Sequence, residues 1–276
     1  MGVSESSVKR WVDQGAIPSH RTAGGHRRMP ASGVVRFLRE QGYQPTRPEL
    51  LGLPRTLALT IGSIRPGAVV ELTQALEAGD DSTVRAAVLG PFLAGTTLAE
   101  LFDQLVAPAF HKIGHDWATA SLEVYREHRS VEIATRLLHE LHALLPEPAG
   151  RAPRAVGATL ENDPYTLPLL MGELVLRENG WAAESLGPGL PVQTLCAALL
   201  ELSPRLLWIN VSHVADRLQL IRSFADLHDE ARKRGVAVVL GGQAVDAELR
   251  SRMRCTAFLG SMVELVGLAE TLARSR

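Results

Sequence analysis

Three groups of residues in this 276-residue chain combine types and spacing that invite chemistry. Near the N-terminus, Arg21, His26, Arg27 and Arg28 flank the turn Thr22-Ala23-Gly24-Gly25. Guanidinium groups bind phosphate oxygens through several N–H donors, and glycines let the backbone come close to a polyanion. Ser6, Ser7, Lys9 and Arg10 share a preceding stretch in which Val8, Trp11 and Val12 are spaced as on a helix, so its polar side could enter a DNA major groove. A second group, Trp117, Tyr125, Arg126 and the pair Glu127-His128, surrounds an expected break between two helices. An aromatic lid with polar handles suits a large flat ligand. The third group is Glu161-Asn162-Asp163-Pro164-Tyr165, Ser212-His213 and Gly241-Gly242-Gln243, each placed just after a short apolar run. If those runs are parallel strands, the three segments meet at the carboxyl ends, where such sheets bind ligands.

Other constellations carry less. His111 and His115 are four apart, a spacing compatible with a metal, but no third ligand accompanies them, so no metal site is expected. His139-Glu140-Leu141-His142 reads as a solvated helix end, and Cys196, on an apolar stretch, as core. Gly187-Pro188-Gly189 and Gly241-Gly242 do not make the GxGxxG run of a dinucleotide fold. No nucleophile–base pair is visible, and the chain is not expected to be an enzyme.

The elements that must position these groups follow from apolar periodicity. Residues 1–43 read as helix, short hairpin, helix: Ser4 begins the first helix, Gly15 stops it, and Pro30-Ala31-Ser32 begins the second. Pro45, Pro48, Pro54 and Pro66 mark residues 44–66 as a linker. Residues 67–146 predict a four-helix bundle, with helices near 67–78, 81–93, 97–117 and 121–145 joined by short connections. A second linker follows. Residues 154–276 then alternate short apolar runs with amphipathic stretches, the pattern of a Rossmann-like α/β domain with a parallel sheet. The fold class is therefore multidomain: a small head, a bundle and an α/β domain.

Composition sets the outer bounds. The chain is 46% apolar and 21% charged, and no apolar run approaches the roughly 20 residues of a membrane-spanning helix, so no membrane partner is expected. Two cysteines exclude a disulfide scaffold, and together with the lack of a signal-peptide core they predict a cytoplasmic location. The net charge of −1 conceals an asymmetry. Residues 1–48 hold eight Lys/Arg against three Asp/Glu, whereas the rest hold 21 against 27. A basic head on an acidic body fits an end that touches nucleic acid and a remainder that does not.

The run Val3-Ser-Glu-Ser-Ser-Val-Lys-Arg-Trp-Val-Asp-Gln-Gly-Ala-Ile-Pro18, followed by Arg21-Thr-Ala-Gly-Gly-His-Arg-Arg28, resembles the winged helix-turn-helix of MerR-type regulators. The resemblance implies a double-stranded DNA operator as partner. It places Ser6, Ser7, Lys9 and Arg10 on the recognition helix and Arg21, His26, Arg27 and Arg28 on the wing. Such heads carry a helix before the Gly2-Val3-Ser4 turn, and this first helix is missing from the sequence. With the Trp117-x9-Glu127-His128 pattern, and Ser212 and Gly241-Gly242 in an α/β domain, the whole chain resembles the CarH/LitR-type cobalamin photoreceptors. That resemblance implies a light-responsive repressor, active as a dimer or tetramer. It also implies adenosylcobalamin held between bundle and sheet, with the Trp, Glu and His above its upper face.

The chain departs from that family where cobalt would be held. A family Glu-x-His-x-x-Gly run supplies the lower axial histidine; here it is Glu161-Asn162-Asp163-Pro164-Tyr165-Thr166. Ala118 stands where light-sensing members carry a second histidine after the tryptophan. With both protein cobalt ligands absent, a linear bilin is the expected ligand, and two alternatives accompany it. A metal-free linear tetrapyrrole such as biliverdin could replace the corrinoid, with Asp163 accepting hydrogen bonds from its pyrrole nitrogens, Trp117, Tyr125 and Tyr165 stacking on its rings, and Arg126, His128 or His213 binding its propionates. Alternatively adenosylcobalamin binds without a histidine lower ligand, or the domain binds no cofactor and serves assembly. Asp163 has a rival structural reading as the N-cap of the helix near 166–179.

Overall fold

The computed structural model describes residues 2–55, 57, 61–119 and 122–274, which fall into two units, 1–147 and 148–276. The first unit opens with α1 (Glu5–Asp13), whose N-cap Ser4 accepts a hydrogen bond from the Ser7 N–H. Strands β1 (His20–Arg21) and β2 (Arg27–Arg28) pair antiparallel across the Gly24-Gly25 turn, and α2 (Ala31–Gln41) ends at Gly42 in the left-handed conformation. Trp11 packs on Phe37 (4.8 Å between ring centroids) and Tyr43 (5.6 Å), closing the small core with Ile17, Val35 and Leu38.

This head is not tethered by a bare linker. Pro48, Leu53 and Leu57 within the expected 44–66 linker are buried, and Pro48–Leu51 form a turn of 3₁₀-helix. Apolar side chains among the prolines explain why the stretch folds down: burial recovers hydrophobic free energy that proline periodicity does not advertise. α2 packs on the bundle, where the Arg39 guanidinium lies 3.9 Å over the Phe92 ring and donates to the Phe92 and Thr96 carbonyls.

The bundle consists of α3 (Ala68–Ala78), α4 (Asp81–Leu93), α5 (Leu98–Leu101) running through a π-helical turn (Phe102–Val106) into α6 (Ala107–Ala118), and α7 (Val124–Leu144). Asp80 caps α4, and Thr97 with Glu100 forms a capping box on α5. The expected single helix over 97–117 is interrupted by the wider turn just before Pro108, whose ring and missing N–H disfavour a regular α-ladder there. Glu140, expected as part of a solvated end, instead takes a bidentate bond from Arg85 at 2.6 and 2.9 Å, tying α7 to α4.

The second unit is a five-stranded parallel sheet in the order β4-β3-β5-β6-β7, with β3 (Arg154–Thr159), β4 (Ala182–Ser185), β5 (Leu206–Asn210), β6 (Ala237–Gly241) and β7 (Ala257–Phe258). Between and after them run α8 (Leu167–Glu178), α9 (Val192–Leu202), α10 (Arg217–Lys233), α11 (Ala247–Arg252) and α12 (Met262–Arg274). β5, Leu-Leu-Trp-Ile-Asn, is buried throughout, as a central strand covered on both faces must be. Leu207, Ile209 and Val211 face the α9–α10 side. Trp208 faces the other way and lies where any side chain at Gly157 or Gly172 would stand. Those two glycines leave the space that admits the indole.

The strand order places the topological switch between β3 and β5, whose chain connections leave in opposite directions. The crevice outside their carboxyl ends is where an open α/β sheet binds its ligand.

Candidate functional site

In the head, the solvent face of α1 carries Ser6, Lys9, Arg10 and Asp13, at the three- and four-residue steps of one helix side. Ser7 does not share it. It is half-buried and engaged with the Ser4 cap, whereas Ser6, Lys9 and Arg10 of the expected groove-reading set are exposed. The wing splits as well. In the hairpin Arg21 stands opposite Arg27 and His20 opposite Arg28, so Arg27 and Arg28 point to opposite faces. Arg21, His26, Arg27 and Arg28 are all exposed, and Arg27 also forms a 2.6 Å ion pair with Asp13 that ties the hairpin to α1.

In the bundle, Trp117 ends α6 at 43% exposure and Tyr125 begins α7 at 59%, a strongly exposed aromatic pair for a helical unit. Trp117 is therefore not part of the bundle core. Arg126 donates to the Tyr125 hydroxyl at 3.1 Å, and Arg126 and Arg129 lie 5.8 and 5.9 Å from the Tyr125 ring centre. Tyr125 in turn raises the Arg126 pKa through that hydrogen bond. The Glu127 carboxylate, largely covered, stands 3.5 Å from the exposed His128 imidazole.

In the second unit, a cleft of about 490 Å³, its open mouth included, lies at the switch between β3 and β5. Its walls include Glu161, Asn162, Asp163, His213, Asp216 and Gln219. Asn162 sits at φ 69°, a left-handed conformation that asparagine tolerates better than most side chains and that turns the chain sharply after β3. The turn carries the Asp163 carboxyl inward to 2% exposure. One carboxylate oxygen accepts from the Tyr165 N–H (3.2 Å), and the other from the Ser212 (2.6 Å) and His213 (3.2 Å) N–H groups. Thr159 adds a bond from its hydroxyl to the Asp163 carbonyl (2.5 Å). Asp163 is thus a clamp between the loops after β3 and β5.

Both sequence expectations for Asp163 need correction. It does not cap α8, whose N-cap is Thr166 without a side-chain bond. Nor is it presented as an open counter-charge, since its oxygens already serve three backbone donors. Tyr165, at 41% exposure, flanks the loop but is not part of the cleft wall. Ser212 turns its hydroxyl to the Asn210 amide at 2.8 Å. Gly241, Gly242 and Gln243 lie outside the cleft as well. Gly242, at φ 111°, lies against the Val211 backbone where no Cβ fits, so this Gly-Gly pair closes two loops together. Sequence reasoning placed His213 with Ser212 among the strand-end segments of the pocket and as one of several propionate handles; the structure makes it the exposed imidazole of the cleft. Its place one residue beyond the strand-end serine was the available signal.

Among the described residues no group of three or more His, Cys, Asp and Glu could hold a metal ion, and no helix is long and apolar enough to cross a membrane.

Two families match the chain. One, described as a helix-turn-helix domain, covers residues 1–42, and one described as a B12 binding domain covers 69–141. The HTH-type transcriptional repressor CarH of Myxococcus xanthus is 32% identical over 164 residues, 57% of this chain and 52% of the repressor. The chain thus spans about half the length of that curated relative. The fold of the monomethylamine corrinoid protein of Methanosarcina barkeri superposes with a TM-score of 0.61 at 14% identity, over 75% of this chain and 99% of that one. In sequence the chain is similar to that CarH repressor, and along it a helix-turn-helix match precedes a B12 binding match.

Proposed function

We propose that this protein is a non-enzymatic, DNA-binding transcriptional repressor whose ligand is of the cobalamin type. The observation that carries the reading is the presence of both matches on one chain, a DNA-reading head at 1–42 and a B12 binding helical unit at 69–141. The head's chemistry agrees: Lys9, Arg10, Arg21 and Arg28 offer exposed cations around a glycine turn. The exposed Trp117 and Tyr125, with Arg126, Glu127 and His128 beside them, give the helical unit an aromatic surface with polar handles for a flat ring.

A linear bilin is the weaker reading. Its argument depended on Asp163 as counter-charge to pyrrole N–H groups, and that carboxylate is buried and bonded to the Tyr165, Ser212 and His213 N–H groups. For a corrinoid, Asp163 does not fit as an axial ligand for the same reason, and carboxylate is a poorer partner than imidazole for such a metal. His213, in the same cleft, fits that need. A corrin ring already supplies four nitrogen donors, so one protein imidazole completes the set and no multi-ligand cluster is required. When bound, the group supplies a light-labile bond from cobalt to carbon.

Fluorescence anisotropy with duplex DNA from the region upstream of the protein's own gene, in the dark with and without adenosylcobalamin, tests the reading. Binding that falls steeply with salt and changes with the cofactor is expected. Salt-insensitive or absent DNA binding, or no response to adenosylcobalamin, argues against it.

A further inference from the structure

The loop after β5 is held at its root by a buried carboxylate from the loop after β3. Asp163 reaches across from the loop after β3 and takes the Ser212 and His213 N–H groups on a single oxygen, at 2.6 and 3.2 Å. Such charge-assisted bonds are stronger than neutral ones and fix the backbone at the root of His213. Gly242, lying against the Val211 backbone, secures the same loop from the β6 side. The His213 side chain then stands exposed in the wall of the cleft, and among the described residues its ring makes no hydrogen bond or ion pair. Glu161 lines the same cleft, as does Asp216, whose Oδ1 caps α10 by accepting from the Leu218 and Gln219 N–H groups. The cleft itself lies at the switch point, where this sheet order binds its ligand.

We propose that His213 is the protein ligand to the cobalt of the bound corrinoid, supplied from the loop after β5. The inference rests on the cobalamin reading above. In the step, a ring nitrogen lone pair of neutral His213 forms the bond to cobalt, and the water or cofactor base that held that position leaves. Cobalt keeps its oxidation state, and no further reactant is needed.

The test adds cob(II)alamin to the full-length protein made with ordinary or 15N-labelled histidine and reads the electron paramagnetic resonance spectrum. With His213 on cobalt, the nitrogen triplets of the unlabelled protein become doublets on labelling. In His213→Ala the label has no effect, and affinity for cob(II)alamin falls by about tenfold or more. His213 is exposed, so the variant is expected to melt at the parent temperature, and His213→Gln checks this with the side-chain bulk retained. Binding with unchanged triplets, or a label effect that survives His213→Ala, overturns the inference while leaving the cobalamin reading standing. Failure of the folded parent to bind cob(II)alamin overturns both.

Discussion

Asp163 shows how one carboxylate can hold two loops together. A carboxylate offers about four acceptor sites, and here backbone donors from two loops use three of them out of water. Asp163→Asn would turn an amide NH₂ toward at least one of those donors, leaving buried groups unsatisfied at a cost of about 1–3 kcal/mol. The melting temperature of the second unit should fall with or without ligand, and a variant as stable as the parent would remove the clamp from the account. The wing divides its labour in a comparable way. Arg28→Ala should weaken DNA binding across sequences and reduce the logarithmic salt slope by about one, as loss of a phosphate contact does. Arg27→Ala removes the Asp13 pair instead, so its loss should be reproduced by Asp13→Ala. If Asp13→Ala leaves DNA binding intact while Arg27→Ala weakens it, Arg27 touches phosphate directly. The thiols stand apart from the chemistry: burial pushes Cys255 up to about 11 and raises Cys196 too, leaving both poorly ionised near neutral pH.

Among the elements, α4 carries a pH signature. Its cap, Asp80, accepts bonds from the Thr83 hydroxyl and N–H and from the Ser82 hydroxyl, which hold its pKa at about 2 against the usual 3.8. The folded value is depressed, so the stabilisation is fully present above pH 3.8 and is lost as pH falls from there toward 2. Melting curves at pH 6 and pH 3 should therefore differ less in Asp80→Ala than in the parent. An identical difference would assign the acid sensitivity to other carboxylates, Asp246 foremost, which Arg217 also holds at about 2. The β5 strand makes a different point. Trp208 fits because Gly157 and Gly172 lack side chains, yet its Nε1 has no hydrogen-bond partner among the described residues. Its indole is there for volume, since the polar end is left unsatisfied.

For the molecule as a whole, a head of some forty residues contacts too little DNA for useful affinity alone, so several heads must be joined. The packing of α2 on α4 and α7, with Arg39 over Phe92, makes head and bundle one unit in which the bundle carries the reading helix. We expect contacts between copies of this unit, and not a flexible stalk, to set the spacing of half-sites. We expect a dimer or tetramer whose mass, read by light scattering at micromolar concentration with adenosylcobalamin present, differs between dark and illuminated samples. Monomers under every condition would refute this.

Local patterns were legible in the sequence because they need only neighbours. Ser4 at the start of α1, the apolar runs of the parallel sheet, and the helices between them follow from caps and periodicity, and they stand within a few residues of expectation. The arginines around Gly24-Gly25 marked the head for the same reason. What only the tertiary structure decided are the pairings across distance. Hairpin register sent Arg27 to Asp13 and Arg28 to solvent. Packing buried Leu53 and Leu57 among prolines that read as a linker. Ser212, 49 positions beyond Asp163, comes alongside it only because β3 and β5 are neighbours in the sheet. A carboxylate's partners are chosen by which backbone donors the fold brings to it. Strand order, which periodicity does not encode, therefore made Asp163 a clamp and left the imidazole of His213 exposed in the cleft.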